Sequence, residues 1–355
     1  MSDVVTFGEA MIRLSPPDFM RLEQTNSLDV RVGGGELNVA VGVSRLGLRS
    51  AWVSRLPNNP LGRLVCNKAR EQGVNADHVL WAKEGRCGLY FLEFGASPRA
   101  SSVLYDRANS AISKIEPGQV DWAAALRGAR WFHTSGITPA LSASAAATTR
   151  EALEAARNAG ARVSYDLNYR SKLWTPEQAR ACQEPLMDLV DVLITTEEDT
   201  RVVFGIVPQQ SRPAVRDERA DGAGAGDADF TSVSAEPYKE VARKLAEKFG
   251  FKAVAITLRE NPSVLRNTWT AIAYADGQFF EDRKHDLEVV DRVGGGDAFS
   301  AGFIYGCLVT SSYHIAVQYG VAFSALKQTH PGDFAWVTRQ EVESLMKGAS
   351  LRVAR

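Results

Sequence analysis

Residues 291–302 read DRVGGGDAFSAG: three glycines and an aspartate, then the start of an apolar run with helical spacing that continues to Val309. The stretch LEVVD (287–291) before it has strand character, so the segment predicts a strand, a glycine turn and a helix in succession. Glycine amides at a helix N-terminus bind anions through N–H groups that lack intrahelical partners and through the helix dipole. Asp297 falls in the first helical turn, beside the anion. If that anion is the γ-phosphate of a nucleotide, the carboxylate can take the proton of an attacking hydroxyl while the amides absorb developing charge. The loop therefore reads as the centre of an alcohol kinase, with Gly294, Gly295 and Gly296 as the anion hole and Asp297 as the base.

A second stretch, DGAGAGDADF (221–230), looks alike but lies in PQQSRPAVRDERADGAGAGDADFTSVSAEP (208–237), a polar segment with little apolar periodicity. It reads as a mobile, solvated insertion, with Asp227 in no site. No GxxxxGK[ST] occurs, which sets the P-loop aside. The GGG at 33–35 lacks the GxGxxG spacing of a dinucleotide fingerprint, and close backbone approach to a ligand explains it better.

Outward from these loops the chain alternates. VVTFGEA (4–10), SAWVSRL (50–56), ARWFHTSG (129–136), ARVSYDLN (161–168) and VDVLITT (190–196) read as strands. Between them LNVAVGVSRLG (37–47), LGRLVCNKAREQG (61–73) and an alanine-rich run to Gly160 carry helical spacing. This rhythm predicts an α/β fold, a mostly parallel sheet with helices on both faces. GLYFLEFG (88–95) and SSVLYDRA (101–108) break it and read as a hairpin in a small projecting β layer. Residues 1–350 are expected to form one domain, with a β lid from about 11–32 and 88–110. With 355 residues, 45% hydrophobic and 23% charged, the chain can bury a sizeable core, and a net charge of -1 gives no footprint for nucleic acid or an acidic membrane. Four scattered cysteines form no CxxC pair, and no basic-then-apolar leader or long apolar run occurs, so a cytoplasmic protein is expected.

GGGELNVAVGVSRLG (33–47) and DRVGGGDAFSAGF (291–303) together resemble the two signature regions of the ribokinase-like (PfkB) carbohydrate kinases, and the likeness covers nearly the whole chain outside the insertion. The resemblance implies a lid over a sugar, ATP and Mg2+ as cofactors, and Gly34 and Asn38 as substrate contacts. Within the family, YDRANSA (105–111), SYDLNYRSKLW (164–174) and ALKQTHPGDF (325–334) resemble 2-keto-3-deoxygluconate kinases. Arg107 and Arg170 would then converge on the carboxylate of a sugar acid, which suits bidentate guanidinium contacts. GEAMIR carries Arg13 where fructokinase-like members resemble GEALID, whose aspartate grips neutral-sugar hydroxyls. Tyr90 and Tyr105 match lid tyrosines that touch substrate, with packing inside the lid as the alternative. The lid is also a candidate surface for homo-oligomers.

The nucleotide side departs from the family. An NxxE element that helps hold the magnesium network appears as TEED (196–199), keeping a carboxylate at Asp199 but no asparagine. A TLGxxG element appears as TLRENP, keeping Thr257 and losing both glycines; a longer loop at 259–268 could rebuild it, or the nucleotide could bind less tightly. Asp291 resembles a position that supports a monovalent cation such as K+. No dense His, Asp and Glu cluster suggests a dedicated cage, so magnesium is expected to arrive with the nucleotide. A fructokinase or other neutral-sugar kinase, and a non-catalytic sugar-binding relative, stay open at this point.

Overall fold

The computed structural model describes residues 1–208 and 235–348. The glycine run at 221–230, with Asp227, lies outside the described residues. Fourteen strands are described: β1 (Val4–Phe7), β2 (Met11–Ser15), β3 (Asp29–Gly33), β4 (Ser50–Pro57), β5 (Val79–Ala82), β6 (Gly88–Glu93), β7 (Ser102–Asp106), β8 (Trp131–Ser135), β9 (Arg162–Asp166), β10 (Val192–Thr196), β11 (Ala253–Ser263), β12 (Arg266–Ala275), β13 (Gln278–Glu281) and β14 (His285–Glu288). Ten of them form one sheet in the order β13-β12-β11-β10-β9-β8-β1-β4-β5, with β14 paired to β12. From β11 to β5 every pairing is parallel, and only the β12–β14 edge is antiparallel.

The central strands are apolar on both faces because both faces are covered. Val5, Phe132, Val163, Leu193 and Val254 enter one buried cluster, beneath the helices Ala143–Asn158 and Glu236–Phe249. Their chain neighbours Val4, Trp131, Val192 and Ala253 enter the opposite cluster, beneath Gly35–Arg45, Gly295–Thr310 and Tyr313–Lys327. The period-two alternation of a strand thus appears as alternation between two cores.

Strands β3, β2, β6 and β7 form a separate four-stranded sheet, with β6 and β7 antiparallel and Tyr90 opposite Tyr105. Two segments differ from expectation. The strand before the glycine loop ends at Glu288, and Val289, Val290 and Asp291 turn away to hydrogen-bond Leu265 and Gln328. Residues 259–268 are no loop: Arg259 pairs with Trp269, Glu260 with Thr268 and Ser263 with Arg266, so β11 and β12 run on as a hairpin with a bulge near Pro262. Non-glycine residues after Thr257 let the ladder continue, and a bulge is where a strand tolerates proline.

The helix that starts at the glycine loop packs closely on Tyr313–Lys327. A Cβ on Gly302 would lie 2.5 Å from the Tyr319 carbonyl oxygen and 2.8 Å from the Gly320 Cα, and one on Gly306 would lie 2.5 Å from the Ala316 Cα. Backbone cannot yield as a side chain does. Gly302→Ala is therefore expected to cost about 1–3 kcal/mol, seen as an earlier midpoint in urea with an unchanged slope. A midpoint equal to wild type would show that the two helices part without cost.

Candidate active site

In parallel α/β sheets the carboxyl ends of the strands open toward ligands, and the candidate residues gather there. Ser135 ends β8, Asp166 ends β9 and is followed by Asn168 and Arg170, Thr196 ends β10, and Thr257 lies beside Thr196 on β11. Facing them is the start of the Gly295–Thr310 helix, with Gly294 in the left-handed region at φ 83. A Cβ on Gly294 would collide with the Asp333 carbonyl oxygen, so glycine is required on two counts. The three glycines have different duties. Gly295 is buried and gives its amide to the Arg292 carbonyl at 3.1 Å, whereas Gly296 is exposed and a Cβ there would meet nothing within 4 Å. First-turn amides at Gly296 and Asp297 could therefore donate to an incoming anion.

Asp297 is held by Asn38, whose Nδ2 donates to Oδ2 at 2.6 Å. A Cβ on Gly35 would sit 3.6 Å from Asp297 Oδ1 and 3.8 Å from Asn168 Nδ2, so Gly35, Asn38, Asn168 and Asp297 line one space. Burial pushes the Asp297 carboxyl up to about 6, against the pull of Asn38 and of Arg170. Burial likewise pushes Asp199 up to about 6, opposed by Arg170, and raises Asp166 well above the carboxylate range, helped by Asp199 and Asp297. Three carboxylates thus share a single exposed arginine, Arg170, whose Nη1 also donates to the Tyr169 carbonyl at 3.0 Å. Such a surplus of negative charge fits a divalent cation carried in with a nucleotide. Among the described residues no group of three or more His, Cys, Asp or Glu is placed to hold a metal ion.

Gly34, Asn38, Arg170, Asp199 and Asp297 are brought together by this edge. Thr257 is half-buried one strand further out, and Thr196 caps the helix Glu197–Phe204 by accepting from the Asp199 amide at 3.1 Å. The second sheet supplies Tyr105, half-buried, and Arg107, which pairs with Glu9 and stacks near the Tyr105 ring at 5.6 Å. Glu9 in turn packs its carbonyl against Gly34. Tyr90 is spent differently: it is buried and its hydroxyl donates to Asp333.

Asp291 departs most from expectation. Its Oδ1 accepts from the Val293 amide at 3.0 Å, its Oδ2 from the Gly332 amide at 2.8 Å, and the Arg13 guanidinium forms an ion pair with Oδ2 at 2.7 Å. The buried Lys327 ammonium donates to the Asp291 carbonyl at 2.9 Å. Two protein cations already oppose this aspartate, so the residues present do not suit a monovalent metal ion.

Sequence reasoning left several of these unassigned. Nothing in SYDLNYRSKLW signals the φ of 40 at Asn168 or that its side-chain amide lines the same space as Asp297. Glu9, Asp333 and Lys327 matter through partners distant in the chain, and no local pattern announces them. Glu36 is buried under Ser135 and Thr138, at 2.7 and 3.2 Å, and burial pushes its carboxyl up to about 7.

The profile of the pfkB family of carbohydrate kinases matches residues 1–337. The chain belongs to this family. It is 38% identical to a 2-dehydro-3-deoxygalactonokinase of Haloferax volcanii, over 100% of this chain and 99% of the relative. It is 30% identical to a 2-dehydro-3-deoxygluconokinase of Bacillus subtilis, covering 97% of this chain and 95% of that one. The crystal structure of a 2-dehydro-3-deoxygluconokinase from Thermotoga maritima superposes with a TM-score of 0.88 at 42% identity, covering 97% of this chain and 98% of that one. A carbohydrate kinase on a ribokinase-like fold accounts for the sheet, the flanking helices and the glycine–aspartate helix start.

Were Asp297 the base it would have to be ionised, and kcat/KM would then be expected to fall as pH drops through about 6. Asn38→Leu removes a donor that favours the carboxylate, and the acid limb should move upward. Asp297→Asn should lose on the order of 100- to 10,000-fold in kcat. Its stability should hold: burial makes the folded state bind this proton more tightly, so stability falls as pH rises from 3.8 to about 6, and an uncharged amide escapes that loss. A pH profile and thermal unfolding of both variants check the pair of expectations, and full activity in Asp297→Asn would remove it as base.

Proposed function

We propose that the enzyme transfers the γ-phosphoryl group of ATP to the primary hydroxyl of a 2-keto-3-deoxy aldonate, 2-keto-3-deoxygluconate or its C4 epimer. Asn38 holds Asp297 Oδ2, leaving Oδ1 on the side of Gly35 and Asn168 to accept the hydroxyl proton. The substrate oxygen bonds to the γ-phosphorus, the bond from γ-phosphorus to the bridging oxygen breaks, and ADP leaves. Mg2+ bound with the nucleotide would neutralise phosphate charge. Asp199, Asp166 and Arg170 flank that position, and Thr257 lies at the nucleotide side. The names of the relatives divide between the gluco and galacto forms, and both carry a carboxylate. The reading draws on no monovalent cation.

The observation that carries the substrate class is Arg107. Its side chain is about nine-tenths buried, and its Nε has no partner among the described residues although Glu9 takes one terminal nitrogen. A guanidinium so buried with an unused N–H is suited to a carboxylate. Arg170 supplies a second positive charge near Asp297, and Tyr105 flanks Arg107.

Removing one partner of a buried charge pair costs roughly 2–5 kcal/mol. Arg107→Ala is accordingly expected to lower kcat/KM for the keto-deoxy acid about 30-fold or more, with little change on fructose, whereas Arg170→Ala also removes a counter-charge of Asp297 and should lower both, the acid more. Arg107→Lys should recover only part, for want of the planar fork. Equal losses on both substrates in Arg107→Ala would make Arg107 structural, and wild-type preference for fructose would favour the neutral-sugar reading.

Self-association through the second sheet is a further part of this reading. Register places Val30, Leu14, Phe91 and Leu104 in one row across its four strands, with Val30 56% and Leu104 60% exposed. Such a row favours a second copy. Leu104→Glu is expected to shift sedimentation toward monomer; a wild-type monomer would refute it.

A further inference from the structure

The Arg13 guanidinium sits 320 residues from one of its partners, fully buried, and touches both loops that frame the start of the catalytic helix. Its Nη2 lies 2.7 Å from Asp291 Oδ2, its Nη1 donates to Asp333 Oδ1 at 3.0 Å, and its Nε donates to Ser15 at 3.0 Å. The Phe94 ring lies under the guanidinium, 5.2 Å to its centroid. Asp333 also accepts from Tyr90, and Lys327 reaches the Asp291 carbonyl. Two cations and two carboxylates therefore cancel inside a closed space, and another positive charge would stand there uncompensated.

Each contact of this cluster bears on the phosphate-facing loop. Asp291 fixes the Val293 amide, one residue before the glycines. Asp333 puts its carbonyl where a Gly294 Cβ would be, and Gly332 gives its amide to Asp291. A cation joining Asp291 to the 331–333 loop would hold the glycine loop in place, and a guanidinium occupies that position.

We propose that Arg13 is a built-in cation that positions the Gly294–Asp297 anion site, so that nucleotide binding does not depend on a monovalent metal ion. The inference rests on membership of the kinase family and not on the sugar-acid reading, because it is tested without sugar. Wild-type protein is titrated with ATP and magnesium at one ionic strength in tetramethylammonium, sodium or potassium chloride, and its thermal midpoint is measured in each. Affinities within about twofold and equal midpoints are expected; potassium tightening ATP by about tenfold or more, or selectively raising the midpoint, overturns the proposal. Arg13→Ala should weaken ATP by about tenfold or more, Arg13→Lys less. Added potassium or methylguanidinium should recover part of the Arg13→Ala loss. Unchanged ATP affinity in Arg13→Ala, or a loss that neither cation restores, overturns the positioning role, and if that variant does not fold the wild-type series decides alone.

Discussion

A buried guanidinium with two carboxylates around it constrains this molecule more than any single apolar contact. Burial works against the Arg13 charge, yet Asp333 and Asp291 together hold it above the ordinary arginine range. The cost of desolvation is met only while all partners stay in place; removing one leaves a buried charge without compensation. Arg13 stands on β2 and Tyr90 on β6, both in the second sheet, whereas Asp291, Lys327 and Asp333 belong to the chain around the helix Gly295–Thr310. The second sheet and the glycine loop are therefore joined through one buried cluster. Tyr90 illustrates the consequence: its hydroxyl, a plausible substrate contact in sequence terms, serves the joint between the two sheets.

The active edge is built on the opposite electrostatic choice. Asp166, Asp199 and Asp297 are raised by burial and by one another, with Arg170 as their shared counter-charge. This arrangement is unfavourable alone and improves when a cation arrives, so the folded protein stores a preference for a metal-bearing ligand. Asn38 tunes the same edge from the other side. By donating to one oxygen of Asp297 it favours the carboxylate and fixes which oxygen remains for a proton. Glu36, buried under Ser135 and Thr138, leans toward the protonated form because burial raises its carboxyl and the Asp297 charge adds to the shift.

The alternation of strands and helices was readable in the sequence because a parallel sheet covered on both faces demands apolar runs at strand length, and VVTF, WFHTS and VLITT supply them. The glycine–aspartate helix start was readable for a similar reason, since its chemistry is local and its residues are adjacent. What the sequence hid is non-local. Arg13 to Asp333, Asn38 to Asp297 and Arg107 to Glu9 join residues far apart, and no period or spacing encodes them. In the sequence Arg13 stands out only because fructokinase-like members resemble an aspartate at its place. Its partners decide its meaning, and they follow from tertiary structure. Asn168 was hidden differently, because its left-handed backbone is set by the Asp166 oxygen that accepts from its amide at 3.2 Å.

The altered TLRENP segment shows how loss of a motif can become structure. Without glycines after Leu258 the strand has no reason to turn, and β11 runs on to Ser263 against β12. The outer half of β12 is then paired on its other edge by β14, with Arg266 opposite Glu288 and Trp269 opposite His285. The hairpin tip reaches the loop that leads to Asp297: Val289 donates its amide to the Leu265 carbonyl at 2.8 Å, and Arg292 Nη2 donates to the Val264 carbonyl at 3.1 Å. A flexible glycine turn could not provide these two fixed acceptors. The hairpin that extends where the glycines are missing thus braces, at its tip, the chain that leads into Gly294 to Asp297. That bracing and the Arg13 cluster grip the same short segment at interleaved positions, one at Val289 and Arg292, the other at Asp291 and Val293. A loop held by both needs less of its order from the ligand, which lowers the entropy that binding must otherwise supply.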